Sequence, residues 1–128
     1  MGLRNASVHT IMIIEDEDDI LQVYKDFLER KGYAVEVSAP TANEAVKDYE
    51  TYKPDLIMID YRLPGAMNGL QAAERILRVD PFARILMVTA SENIGRELAS
   101  NAFLSDKMIS VVRKPVRLAN LAKTISSF

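Results

Sequence analysis

The residues best suited to chemistry are acids that follow apolar runs. The apolar run Leu56–Ile59 leads directly into Asp60, and turn-forming residues follow between Pro64 and Gly69. This pattern predicts a buried strand that ends at Asp60 and emerges into a loop. Two interpretations are open for Asp60 taken alone. It either caps the following turn or acts as a ligand-binding or reactive carboxylate at the edge of a sheet.

Polar residues also follow three other apolar runs. Five acids, residues 15–19, come after the first run, Thr89 ends another, and Lys114 follows a third. The dipole of a helix N-terminus accounts for acids at positions 17–19. It accounts less well for Glu15 and Asp16, which lie closest to the preceding strand.

The elements that must position these residues alternate along the chain. Five short apolar runs predict strands, and each is followed by an amphipathic segment with helical spacing. The predicted strands are Thr10–Ile14, Ala34–Ser38, the run ending at Asp60, Ile85–Val88 and Ile109–Val112. Thr41 and Ser91 are predicted to cap the second and fourth helices, Gly32 to stop the first and Asp80-Pro81 to end the third.

Near-continuous apolar strands need cover on both faces, so the pattern favours an α/β fold. We predict a doubly wound, five-stranded parallel sheet with helices on both faces, a flavodoxin-like sandwich. The carboxyl ends of its strands share one edge. Glu15, Asp16 and Asp60 are therefore expected to lie close together, and clustered carboxylates repel one another unless a cation separates them. Oxygen ligands of this kind suit Mg²⁺ or Mn²⁺ better than Zn²⁺.

These residues and their order resemble the receiver domain of two-component response regulators, the single-domain type similar to the chemotaxis response regulator. The resemblance runs from about Thr10 to the C-terminus. The resemblance rests on four motifs: Ile-Ile-Glu-Asp at 13–16, Ile-Asp-Tyr-Arg-Leu-Pro-Gly-Ala-Met-Asn-Gly at 59–69, Val-Thr-Ala at 88–90 and Arg-Lys-Pro at 113–115. It implies strand order 2-1-3-4-5, a receiver domain over residues 9–128 and a short N-terminal extension over residues 1–8.

The resemblance also implies a role for each residue of the site. Asp60 accepts a phosphoryl group, and Thr89 and Lys114 contact its oxygens. Mg²⁺ (or Mn²⁺) is held by Asp16, Asp60 and the backbone carbonyl of Arg62, with Glu15 acting through water. The implied donor is a sensor histidine kinase or a histidine phosphotransfer protein. The output is directed to an unknown downstream protein through the face formed by the fourth helix, fifth strand and fifth helix, with a possible homodimer on phosphorylation.

Two positions depart from the family pattern. Val111 occupies a site three residues before Lys114 that is often Tyr or Phe in the family, and Glu15 replaces the commoner Asp of the acidic pair. Val111 leaves open an alternative, a receiver-like protein-binding module that acts without phosphorylation. A flavodoxin-type small-molecule binder is disfavoured because acids stand where a phosphate-binding loop would follow the first strand.

The composition of the chain excludes several further classes of function. The 128 residues carry a net charge of −2, which argues against a nucleic-acid partner. The chain contains no cysteine, which excludes thiol chemistry and disulfides. No apolar run is long enough for a signal peptide or a membrane span, so a cytoplasmic protein without a membrane partner is expected.

Overall fold

The computed structural model describes residues 7–38 and 41–128. Its five strands are β1 (Thr10–Ile14), β2 (Ala34–Val37), β3 (Leu56–Asp60), β4 (Ile85–Thr89) and β5 (Ile109–Arg113). Its five helices are α1 (Asp18–Arg30), α2 (Ala42–Tyr52), α3 (Gly69–Val79), α4 (Ile94–Ser100) and α5 (Leu118–Ser126). The predicted order of elements is confirmed. The extension predicted for residues 1–8 falls mostly outside the described residues.

The strands form one sheet in the order β2-β1-β3-β4-β5, with every neighbouring pair parallel. This is the predicted flavodoxin-like topology. In register, Ile14 lies beside Ile59, Asp60 beside Val88 and Thr89 beside Arg113. The carboxyl ends of β1, β3, β4 and β5 therefore lie along one edge of the sheet.

Two apolar clusters cover the two faces of the sheet. One joins alternate strand residues such as Met12 and Ile57 to buried residues of α2, α3 and α4. The other joins residues such as Ile11 and Met58 to buried residues of α1 and α5. Every residue of β3 and β4 is buried because helices cover both sides. No helix among the described residues has the length and apolar character needed to cross a membrane.

Local sequence explains most of the helix boundaries. The Thr41 hydroxyl accepts a hydrogen bond from the Glu44 backbone N–H at the start of α2, as predicted. At the start of α3, the side chains of Asn68 and Gln71 accept from each other's backbone N–H, at 2.9 and 2.8 Å. Gly32 has a φ of +100°, which suits the left-handed end of α1.

The predicted cap of α4 is wrong. The helix begins at Ile94, with Asn93 in the capping position and no capping side-chain hydrogen bond. Ser91 lies in the preceding loop, where its hydroxyl accepts from the Asn93 backbone N–H at 3.2 Å. Its own N–H is bound to the Thr89 hydroxyl, and this turn keeps the chain irregular for two more residues.

Candidate functional site

Asp60 is the last residue of β3 and is only 4% exposed. One carboxylate oxygen accepts a hydrogen bond from the Arg62 backbone N–H at 2.9 Å. The other pairs with the Lys114 ammonium at 2.8 Å, across 54 residues of sequence. Asp60 therefore lies at the end of a strand and faces Lys114, as predicted.

Gly69 determines how the chain leaves Asp60. Its N–H donates to the Tyr61 carbonyl at 2.7 Å, which brings the start of α3 against the end of β3. A Cβ atom at position 69 would lie 2.1 Å from the Asp60 carbonyl oxygen. Only glycine therefore allows this approach, and the Asn-Gly pair both caps α3 and fits it beside the site.

Three carboxylates gather at this edge of the sheet. Oxygens of Glu15, Asp16 and Asp60 all lie within 4.8 Å of one another, close enough to share one metal ion. Glu15 is 4% exposed, whereas Asp16 is exposed to solvent. This all-oxygen set, with one open side, fits the ligand preferences of Mg²⁺ or Mn²⁺. The Arg62 backbone carbonyl stays a predicted ligand.

The charges of the cluster influence each other. Burial, with a smaller contribution from the neighbouring Asp60 carboxylate, raises the pKa of Glu15 to about 7, against the lowering effect of the Glu17 backbone N–H. Burial alone would lower the pKa of Lys114, but its hydrogen bond and ion pair with Asp60 outweigh that effect and raise it. Lys114 is therefore held as a cation beside carboxylates that repel one another.

Thr89 is the last residue of β4 and is 2% exposed. Its hydroxyl accepts from the Ser91 N–H at 2.9 Å, and its carbonyl accepts from the Lys114 N–H at 2.9 Å. A hydroxyl that accepts one hydrogen bond still has a proton to donate. A cavity of about 660 Å³ opens beside these groups, lined by residues 60–62, residues 89–93 and Lys114. The structure thus brings Asp60, Thr89 and Lys114 to one open cavity.

Two tyrosines near the site were not predicted to matter. Tyr24 of α1 is buried. Its pKa is raised to about 12 by burial and by the charges of Glu15, Asp60 and Glu17. The Tyr61 hydroxyl donates to the two Glu97 carboxylate oxygens at 3.0 and 3.3 Å. No local sequence signal marks either contact, since each depends on how a helix packs on the sheet.

Comparison with known proteins gives the family. Residues 11–126 match the model of the response regulator receiver domain. The chemotaxis protein CheY of Thermotoga maritima is 34% identical over 80 residues, covering 62% of this chain and 66% of that protein. The chain therefore spans just under two thirds of that relative's length.

Solved structures give the same result over nearly the whole chain. A CheY-like receiver domain protein from Methanospirillum hungatei superimposes with a TM-score of 0.80 at 30% identity, covering 94% of this chain and 93% of the other. The response regulator TrrA of Thermotoga maritima, solved in complex with Mg²⁺ and BeF, gives a TM-score of 0.79 at 26% identity, covering 93% and 97%. With the family match, the topology and the acidic cavity in agreement, this chain belongs to the response regulator receiver domains of two-component systems.

Proposed function

We propose that this receiver domain accepts a phosphoryl group on Asp60 from a phosphohistidine of a sensor histidine kinase or a histidine phosphotransfer protein. The observation that carries the proposal is the environment of Asp60. It is a buried carboxylate at the wall of an open cavity, 2.8 Å from an ammonium group and within 4.8 Å of two further carboxylates.

The reaction transfers a phosphoryl group between two nucleophiles. An Asp60 carboxylate oxygen attacks phosphorus, a P–O bond forms, the P–N bond to the histidine breaks, and the imidazole leaves with the electron pair of that bond. The obstacle is electrostatic because a carboxylate approaches an anionic phosphoryl group. Catalysis therefore depends on positive charge and hydrogen-bond donors already in place.

The chain's own residues supply part of that charge. The Lys114 ammonium already contacts one Asp60 oxygen, and from this position it can bind an oxygen of a phosphoryl group attached to Asp60. The Thr89 hydroxyl donates to a second oxygen, and the Arg62 N–H, which binds the Asp60 carboxylate, orients the attacking group. Ala90 is small and exposed, which leaves the cavity open to a donor protein.

Glu15, Asp16 and Asp60 would hold the divalent cation, with the Arg62 carbonyl as a further ligand. Mg²⁺ or Mn²⁺ bound there would neutralise charge on the transferring phosphoryl group. Support comes from the spacing of the three carboxylates, from the raised pKa of Glu15 and from the Mg²⁺ and BeF bound by TrrA. Burial accounts for most of that rise and the Asp60 carboxylate adds to it, and a cation bound at the cluster would favour the ionised form of Glu15.

The output follows from a shift in population between two arrangements. A phosphoryl group adds about 1.5 to 2 negative charges and three acceptor oxygens, which draw Thr89 and Lys114 inward. We propose that this movement alters the face formed by α4, β5 and α5 and so its affinity for a downstream protein or for a second copy. Val111 on this face is half-buried and aliphatic, so no aromatic ring at that position carries the signal.

Acetyl phosphate with Mg²⁺ tests the proposal directly, with intact-mass spectrometry as the readout. We expect one added phosphoryl group on the wild type, none on Asp60→Asn, and one on the matched control Asp55→Asn. An unmodified wild type, or an Asp60→Asn variant that is modified equally, would reject phosphorylation at Asp60. The first result would favour a protein-binding module that acts without phosphorylation.

A further inference from the structure

Tyr61 connects the segment after Asp60 to α4. Its hydroxyl lies 3.0 and 3.3 Å from the two carboxylate oxygens of Glu97, one turn into that helix. Its ring is half-buried and packs against the cluster beneath α2, α3 and α4. A phenol that donates to a carboxylate forms a charge-assisted hydrogen bond, which is stronger than a neutral one.

The backbone of Tyr61 is held firmly on both sides. Its N–H donates to the Val88 carbonyl at 2.9 Å, and its carbonyl accepts from the Gly69 N–H at 2.7 Å. Both partners belong to regular elements, β4 and α3. The Tyr61 backbone is therefore fixed, and a displacement of α4 would change the distance between the Tyr61 hydroxyl and Glu97.

The loop beside Asp60 continues directly into α4. Residues 90–93 line the cavity and join Thr89 to the first residue of the helix, Ile94. Because the chain is continuous here, a backbone movement of this loop toward Asp60 would pull on the start of α4. The helix has seven residues, with Ile94 anchored in the core and Asn101 bound to Glu74 beyond its end. Leu98 of α4 also packs against the core, and the Tyr61–Glu97 hydrogen bond adds a charge-assisted contact to this apolar packing.

The ionisation of Tyr61 is consistent with this bond. Burial, followed by the hydrogen bond to Glu97 and the charge of that carboxylate, raises the pKa of Tyr61 above its usual value of 10.0. At neutral pH the phenol is therefore a neutral donor.

We propose that the Tyr61–Glu97 hydrogen bond is a latch that favours the position of α4 in this structure and opposes its movement when an anion binds on Asp60. The coupling to Asp60 rests on the proposed function. A bond present in only one of two arrangements biases the population toward that arrangement. Its removal should therefore loosen α4 and tighten binding of a phosphoryl-like anion by about tenfold, the lower end of the range for a hydrogen bond to a charged group.

The test uses Tyr61→Phe, which removes only the hydroxyl, Glu97→Gln, which removes the charge, and the double variant. Tyr33→Phe removes a phenol on the opposite face of the sheet, and Glu44→Gln removes an exposed carboxylate from α2, away from the cavity. Two readouts are measured on the full chain. They are amide hydrogen exchange across residues 94–100 without ligand, and the affinity for beryllofluoride with Mg²⁺.

We expect faster exchange in α4 and tighter beryllofluoride binding for both single variants. The double variant should show little more change than Tyr61→Phe because Glu97→Gln weakens the bond that Tyr61→Phe already removes. The two controls should match the wild type. Unchanged exchange in α4 would overturn the latch, and faster exchange with unchanged or weaker affinity would overturn its coupling to Asp60. If the wild type binds no beryllofluoride, the proposed function fails, and the exchange data alone decide whether the latch exists.

Discussion

Two aspartates stand at opposite ends of the same strand and have opposite surroundings. Asp55 precedes β3, and its carboxylate accepts from the His9 and Thr10 N–H groups at 2.8 and 3.1 Å. Its own N–H donates to the Thr10 hydroxyl at 2.8 Å. Burial would raise the pKa of Asp55, but these hydrogen bonds outweigh it and lower the pKa. Asp60, in contrast, lies among other carboxylates and is paired with one lysine.

The contrast separates an acid that stabilises the fold from the acid that we propose accepts a phosphoryl group. Asp55 joins the start of β1 to the start of β3 by accepting hydrogen bonds from backbone N–H groups. Among the described residues, it is not part of a group of carboxylates that could hold a metal ion. Asp60 is placed where burial and repulsion raise the pKa of its neighbour Glu15, an arrangement that works against folding. Two aspartates five positions apart thus differ in surroundings: one is held by backbone donors, and the other is held among carboxylates at the proposed site.

The largest expected effect on stability is at the Asp60 end of the strand and concerns Gly69. We expect Gly69→Ala to lower the free energy of unfolding by about 3 kcal/mol because its Cβ would overlap the Asp60 carbonyl. Gly95 of α4 has nothing within 4 Å of an added Cβ, so Gly95→Ala should be neutral or stabilise by up to about 1 kcal/mol. Urea denaturation measures both. Equal effects would contradict the tight contact at the Asp60 end.

Replacing each aspartate tests the comparison itself. Asp55→Ala removes the acceptor for two backbone N–H groups and should destabilise the protein by about 2 kcal/mol. Asp60→Asn removes one of several repelling carboxylates, so its effect should stay below about 1 kcal/mol or be stabilising. Thermal unfolding at pH 8 without divalent ions is the measurement. A larger loss for Asp60→Asn than for Asp55→Ala would reverse the assignment.

The pH dependence of stability should originate at the Asp60 end. Glu15 has a pKa of about 7 in the folded protein against 4.5 as a model value, so the folded state binds more protons between these values. Stability should therefore fall as pH rises from about 5 to 8, by an amount on the order of 1–3 kcal/mol in metal-free buffer. Glu15→Gln should remove most of this slope. An identical slope in that variant would show that Glu15 is not the responsible group.

Mg²⁺ should stabilise the folded protein by a modest amount. At ten times its dissociation constant, a ligand that binds only the folded state stabilises it by about 1.4 kcal/mol. We expect Mg²⁺ to raise the melting temperature of the wild type and of Asp55→Asn by several degrees, and that of Asp16→Asn by much less. A response in Asp16→Asn equal to that of the wild type would exclude Asp16 as a ligand.

The sequence predicted the strands well because apolar runs are a local signal. β1 has the predicted bounds Thr10–Ile14, and β3 ends at Asp60 as predicted. Once the sheet is parallel, its carboxyl edge must bring together the polar residues that end those strands. This is why the approach of Lys114 to Asp60 was predictable across 54 residues.

Contacts between a helix and a loop were not predictable in the same way. The Tyr61–Glu97 hydrogen bond spans 36 residues and depends on where α4 lies on the sheet. The start of α4 was also misplaced. A serine before an apolar segment is typical of a helix cap, but here Ser91 belongs to a turn closed by the hydrogen bond from its N–H to the Thr89 hydroxyl. A helix of seven residues carries too little apolar periodicity to correct such an error.

The most direct test is the backbone amide spectrum of the whole chain during titration with beryllofluoride in Mg²⁺. We predict shifts at Asp60 to Arg62, at Thr89 to Ser91 and at Lys114, with Asp55, His9 and Thr10 unchanged as an internal control. The shifts should disappear when Mg²⁺ is omitted. No response at Asp60 and Thr89, or a response centred on Asp55, would contradict the assignment of the acidic cavity as a phosphoryl-accepting site.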